Sequence, residues 1–203
     1  MPIKQDREYR QMVLPLTAAT QQNQKRFDTD YYVEGYATTF NSPYFMYEID
    51  GIKYYEVIDR HALDGADMSD VILQYNHAGK VLARQTNNTL GLEATERGLF
   101  CFADLSKSAA AKELHEEIKN QLVTKMSWAF RVAPDGDTYD RNTHTRTILK
   151  IAKVYDVSAV SYPANGDTDI SARSFFAGVS EKEKREALAR KVKLLNLKLK
   201  LEE

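Results

Sequence analysis

TKMSWAFRVA (124–133), PDGDTYDRNTH (134–144) and TRTILKIAKVYDVSAVSY (145–162) decide the fold class of this 203-residue chain. The two outer stretches are rich in β-branched and aromatic residues, side chains that suit a pleated, half-buried surface, and read as strands. The middle stretch is polar and carries Asp135-Gly136, so it reads as a turn. Pro163 and Asn165-Gly166 end the second strand. The same texture recurs upstream in YYVEGYATTF (31–40), IKYYEVI (52–58), VILQY (71–75), KVLA (80–83) and LGLEA (90–94). Turn signals separate these runs at Asn41-Ser42-Pro43, Asp50-Gly51 and Arg97-Gly98. Asp50-Gly51 lies between two aromatic-rich runs and predicts a hairpin.

Two segments change period. In residues 106–122, Ala111, Leu114, Ile118 and Leu122 fall on one helical face, and Ser106 or Ser108 can cap its start. Residues 180–201 predict a second helix, with Ser180 and Glu183 as a capping box. Its Leu188, Val192, Leu195 and Leu199 form a short heptad-like seam, marginal alone and in need of a surface to pack on. That surface is either the helix's own domain or a separate partner. There is no internal repeat. The expected class is mostly β with α, organised as an N-terminal arm (1–30), a main domain (31–177) and a charged amphipathic C-terminal helix (178–203).

Composition removes several functions. Net charge is −1 but uneven: five Lys/Arg against two Asp/Glu in residues 1–26, eight against five in 178–203, and 15 against 22 between them. An acidic body argues against a nucleic-acid-binding core. No apolar run approaches the ~20 residues of a membrane span, and the N-terminus lacks the apolar stretch of a signal peptide. The single cysteine, Cys101, excludes an internal disulfide framework or a multi-cysteine zinc site, and suits a reducing, intracellular compartment. HExxH, phosphate-loop and GxSxG patterns are all missing, which argues against zinc hydrolases, nucleotide-loop enzymes and ordinary α/β-hydrolases. No cofactor is expected.

Position must therefore select the chemistry. His61, beside a turn, and His144, in RNTHTR, read as surface residues, and His115 as a helix-boundary residue. His77 differs, because it follows the apolar strand VILQYN, whose end can hold an imidazole rigidly. By pattern alone it still reads first as structural. Ser127 in KMSWAF, and Ser158 and Ser161 in DVSAVSY, read first as hydroxyls on an exposed strand face. Asp156 interrupts a strand and needs a partner, basic or imidazole, since burying an unpaired carboxylate is costly. Cys101, among aromatics in GLFCFAD, reads as core, which leaves a cysteine hydrolase as a weak third reading.

Five segments occur in the order GYATTFN, EVIDRHAL, ILQYNHAGKVLAR, LGLEATERGLFCFADLSKSAAAKELHEEIKNQLVTKMSWAF and VYDVSAVSYPAN. In this order they resemble the prohead (procapsid maturation) proteases of tailed bacteriophages, Hong Kong 97 type, over residues 31–172. That family is similar to the herpesvirus assemblins. The resemblance implies a serine endopeptidase on a closed or partly open β-barrel core surrounded by helices. It aligns His77 with the catalytic histidine, Ser127 with the serine of an S-x-G-F motif and Asp156 with the acidic position of E-V-S-x-V-x-x-P-A. Ala129 stands where the family usually has glycine, and Asp156 where it usually has glutamate; Ser158 is a candidate to share the role of Asp156.

The implied substrates are the scaffolding segment of the major capsid protein and the protease itself, cut inside the prohead in the host cytoplasm. The same analogy extends to a homodimer or higher oligomer. The competing expectation is a non-catalytic capsid-assembly module that docks through its C-terminal helix. The separation of Ser127 and His77 discriminates the two.

Overall fold

The structure is a computed structural model that describes residues 7–18, 25–161 and 170–199. In chain order its elements are β1 (Glu8–Thr17), β2 (Tyr32–Thr39), β3 (Tyr44–Ile49), β4 (Ile52–Ile58), β5 (Ile72–Tyr75), β6 (Ala78–Arg84), β7 (Leu90–Ala94), β8 (Gly98–Asp104), α1 (Ala109–Lys119), β9 (Lys125–Val132), β10 (Asp137–Asp140), β11 (Thr145–Ile148), β12 (Ile151–Val160) and α2 (Ile170–Leu199). Eight strands form one sheet in the order β6-β5-β12-β9-β1-β2-β8-β7, which curls into a nearly closed barrel with an unsealed seam. A second sheet runs β10-β11-β4-β3. The mostly-β class with helices and a partly open barrel is therefore what the chain adopts.

One face of the barrel sheet carries large apolar side chains. Met126, Trp128 and Phe130 of β9 are fully buried in the core, together with Val157 and Ala159 of β12 and Leu73 of β5. The Trp128 and Phe130 rings stack with centroids 4.2 Å apart. Burying side chains of this size stabilises by roughly 1.5–3 kcal/mol each. Helix α1 adds Ala111, Leu114 and Ile118 to the same core. Of the two candidate caps, Ser108 accepts from the Ala111 amide at 3.1 Å, whereas Ser106 bonds Asp104. Leu122 does not join the buried face. The helix ends at Lys119, Gln121 turns left-handed with φ 61°, and Leu122 is exposed.

Three further expectations are corrected. Residues 8–17 are not a loose arm: β1 pairs with β9 on one side and β2 on the other, inside the barrel sheet. Pro15, which has no amide hydrogen to give, sits opposite Lys125 just after a register shift in the β1–β9 ladder. The polar turn 134–144 contains β10, whose Asp137 carboxylate accepts from the Arg146 Nε at 2.6 Å. The Ser180–Glu183 capping box caps nothing. Helix α2 starts ten residues earlier, at Ile170, because Phe176 is fully buried against Tyr54 of the second sheet, with centroids 5.2 Å apart. Asp50-Gly51 does form the predicted hairpin turn, with φ 53° and 79°, between β3 and β4.

Candidate active site

β5 and β6 are joined by a two-residue turn, Asn76-His77, closed by the pairing of Tyr75 with Ala78. Both turn residues have positive φ, 50° and 56°, as a type I′ hairpin requires. Asparagine and histidine are among the few non-glycine residues that enter this region readily. The turn is pinned from the side, since β5 runs parallel to β12 with Gln74 opposite Ser158. The Asn76 amide donates to the Ala159 carbonyl at 3.0 Å, and the His77 amide donates to Ser158 Oγ at 3.1 Å.

The imidazole so placed meets two side chains. His77 Nδ1 lies 2.5 Å from Asp156 Oδ1, and His77 Nε2 lies 2.6 Å from Ser127 Oγ. Ser127 pairs with Ser158 across the β9–β12 ladder, so the two hydroxyls share a face of the sheet. Asp156 pairs with Ala129 two residues along, on that same face. Asp156 is only 2% exposed and Ser127 4%. A buried carboxylate is an acceptor, so it fixes the proton on Nδ1 and leaves Nε2 to accept from the serine. Ser158 donates to Asp156 Oδ1 at 3.0 Å, so it holds the carboxylate with one contact and the His77 backbone with another.

A serine hydroxyl, an imidazole and a carboxylate in line are the parts required to activate an oxygen nucleophile. Residues 18–182 match the model of a protein family, the caudovirus prohead serine proteases. The chain belongs to that family. Comparison with curated proteins and with solved structures gave no match.

For a caudovirus prohead serine protease, the two departures from the expected motifs have simple structural counterparts. Aspartate is long enough at position 156, because the His77 turn abuts β12 directly. Ala129 is fully buried in an extended strand, where its methyl group requires no special backbone. Other candidates lie elsewhere. His61 is exposed and bonded to Asp64 at 2.9 Å. His115 is buried against Tyr31, and its desolvation lowers its pKa. His144 is half-buried, with Nδ1 3.1 Å from the Tyr139 hydroxyl. Ser161 is exposed. Burial pushes the Cys101 thiol up to about 12, which suppresses the thiolate that a cysteine hydrolase needs.

Two contacts at this site have no counterpart in the sequence reading. The Arg10 carbonyl lies 3.0 Å from Ser127 Oγ, and the Tyr9 ring packs edge-on against His77 with centroids 4.8 Å apart. A carbonyl acceptor leaves no mark in a sequence. The apolar run MVLPL (12–16) was the available sign that this segment is a strand.

Among the described residues there is no cluster of His, Cys, Asp and Glu that could hold a metal ion. No helix among them is long and apolar enough to cross a membrane.

Proposed function

We propose that the chain is a capsid-maturation endopeptidase in which Ser127 is the nucleophile, His77 the general base and then acid, and Asp156 the group that orients the imidazole. As Oγ attacks the scissile carbonyl, its proton passes to His77 Nε2 and a C–O bond forms. When the C–N bond breaks, Nε2 returns that proton to the departing amine. Water, deprotonated by the same imidazole, then hydrolyses the acyl-enzyme. Asp156 accepts from Nδ1–H throughout and stabilises the transient imidazolium.

The observation that carries this reading is the unbroken line from Ser127 to His77 to Asp156, with separations of 2.6 and 2.5 Å. A non-catalytic assembly module has no need of it. Family membership supports the substrates: the scaffolding segment of the major capsid protein, with self-processing, inside the prohead in the host cytoplasm. A Hong Kong 97-type, assemblin-like relationship and a homodimer or higher oligomer belong to the same reading.

A fluorophosphonate probe tests the nucleophile directly. Peptide mapping should find the label on Ser127 and lose it in Ser127→Ala. A label on Ser158 or Ser161 would move the site, and an unlabelled protein would remove the catalytic reading.

A further inference from the structure

Strand β1 lies before the residues that match the family and outside the expected 31–177 domain, yet one dipeptide in it touches two of the three groups at the site. The Tyr9 ring meets the His77 imidazole at an interplanar angle of 72°. The next residue, Arg10, turns its carbonyl to Ser127 Oγ at 3.0 Å. The register explains the split. Tyr9 pairs with Ala129 and so shares the face that carries Ser127 and Asp156, whereas Arg10 pairs with Trp128 and points its side chain to the other face.

On that face Arg10 is held hard. It is 2% exposed, donates to Glu56 Oε1 and Oε2 at 2.5 and 2.8 Å, and pairs with Glu8 at 2.5 Å. Arg146 bonds the same two carboxylates, at 2.7 Å to Glu8 and 3.2 Å to Glu56. This buried network ties β1 to β4 and β11 of the second sheet, which fixes where Tyr9 and the Arg10 carbonyl lie.

His77 needs such a support. Its backbone is a two-residue turn, and its ring hangs from Cβ with a hydrogen bond at each nitrogen. A short turn that shifts carries the whole ring away from both partners. A ring packed against its flank stops that motion and excludes water from the Nε2–Oγ contact. We propose that Tyr9 is a positioning residue for His77, so that β1 is part of the catalytic apparatus rather than an appendage to it. This rests on the assignment of Ser127 and His77 above.

The test is saturation kinetics of inactivation by a fluorophosphonate, in which Ser127 Oγ bonds phosphorus, fluoride leaves and the hydroxyl proton goes to His77 Nε2. The full chain is used, with Ser127→Ala as the zero. Tyr9→Ala should lower the limiting rate of labelling by roughly tenfold to a hundredfold, the scale of a small misplacement of a reacting group, with the probe's half-saturating concentration within about twofold. Tyr9→Phe should restore most of the rate, since it keeps the ring. If Tyr9→Ala does not fold, Tyr9→Ile, which keeps strand propensity without the aromatic face, carries the same comparison. A folded Tyr9→Ala or Tyr9→Ile with the wild-type limiting rate would overturn the positioning role while leaving the protease reading intact. A wild-type chain that takes no label on Ser127 would overturn both.

Discussion

His77 presents its ring to two partners from a backbone position that favours glycine. At φ 56° a Cβ carries a steric cost, and the two side-chain hydrogen bonds and the bond to Ser158 must hold it there. His77→Ala and His77→Gly both remove the ring and should both be inactive. They should differ in stability: the glycine variant should be more stable than the alanine variant by about 1 kcal/mol in urea unfolding. Equal stabilities would mean that the turn is not left-handed in solution. With Asp156 orienting the imidazole as proposed, Asp156→Asn should lower turnover by about 10³–10⁴-fold, less than the ~10⁶-fold loss expected for Ser127→Ala or His77→Ala. An Asp156→Asn variant with wild-type turnover would assign the orienting role to another group.

At this scale Asp156 was legible as a carboxylate inside a strand that demands a partner, whereas His77 read first as structural and was singled out by the family resemblance. Ser127 was less legible, since an exposed-face serine and a nucleophile look alike until the neighbouring strands are in register.

At the scale of the element, β1 is the part the sequence reading missed, despite its apolar run at 12–16. Its composition, with charges at Glu8 and Arg10, resembles a solvated arm because the charges pair with groups far away in the chain: Glu56 and Arg146. No local pattern encodes those partners. Burial pushes the Glu8 carboxyl up, but Arg10 and Arg146 outweigh it and bring the group down to about 2, from an ordinary value of 4.5. A depressed carboxylate pKa contributes stability that is present above 4.5 and is lost as the pH falls towards 2. Glu8→Gln should therefore cost up to about 3 kcal/mol at neutral pH, and the gap to wild type should close between pH 4.5 and 2. Urea unfolding at a series of pH values checks this. A gap independent of pH would mean that the ion pairs do not anchor β1. The strands with dense β-branched and aromatic content, and the Asp50-Gly51 turn, were legible because their signals are local.

At the scale of the whole molecule, the site lies on the sheet face opposite the one that carries Trp128 and Phe130, and α2 packs on the second sheet. The start of α2 is tied to the second sheet through buried Phe176, Arg141–Glu186 at 2.6 Å and Lys184–Asp50 at 2.5 Å. Beyond Glu186, the side chains of Leu188, Val192, Leu194, Leu195 and Leu197 are 49–64% exposed. The seam was readable from spacing, but the helix start was not, because the packing of Phe176 lies outside any capping rule. A chain ending at Ala187 should keep its stability within about 0.5 kcal/mol, as surface changes do, whereas one ending before Phe176 should lose about 3–5 kcal/mol with that ring. Thermal unfolding of the two truncations checks the division. A marked loss on cutting at Ala187 would show that the leucine seam packs on the body.

In the proposed function, Ser127 cuts a capsid protein through His77 and Asp156. The most direct measurement is the intact mass of a major capsid protein from the same phage, co-expressed with the wild type or with Ser127→Ala. The wild type should release a scaffolding segment at one defined peptide bond, and the variant should leave the capsid protein whole. Cleavage at the same bond by Ser127→Ala would contradict the account, as would an uncut capsid protein in assembled proheads containing the wild-type chain.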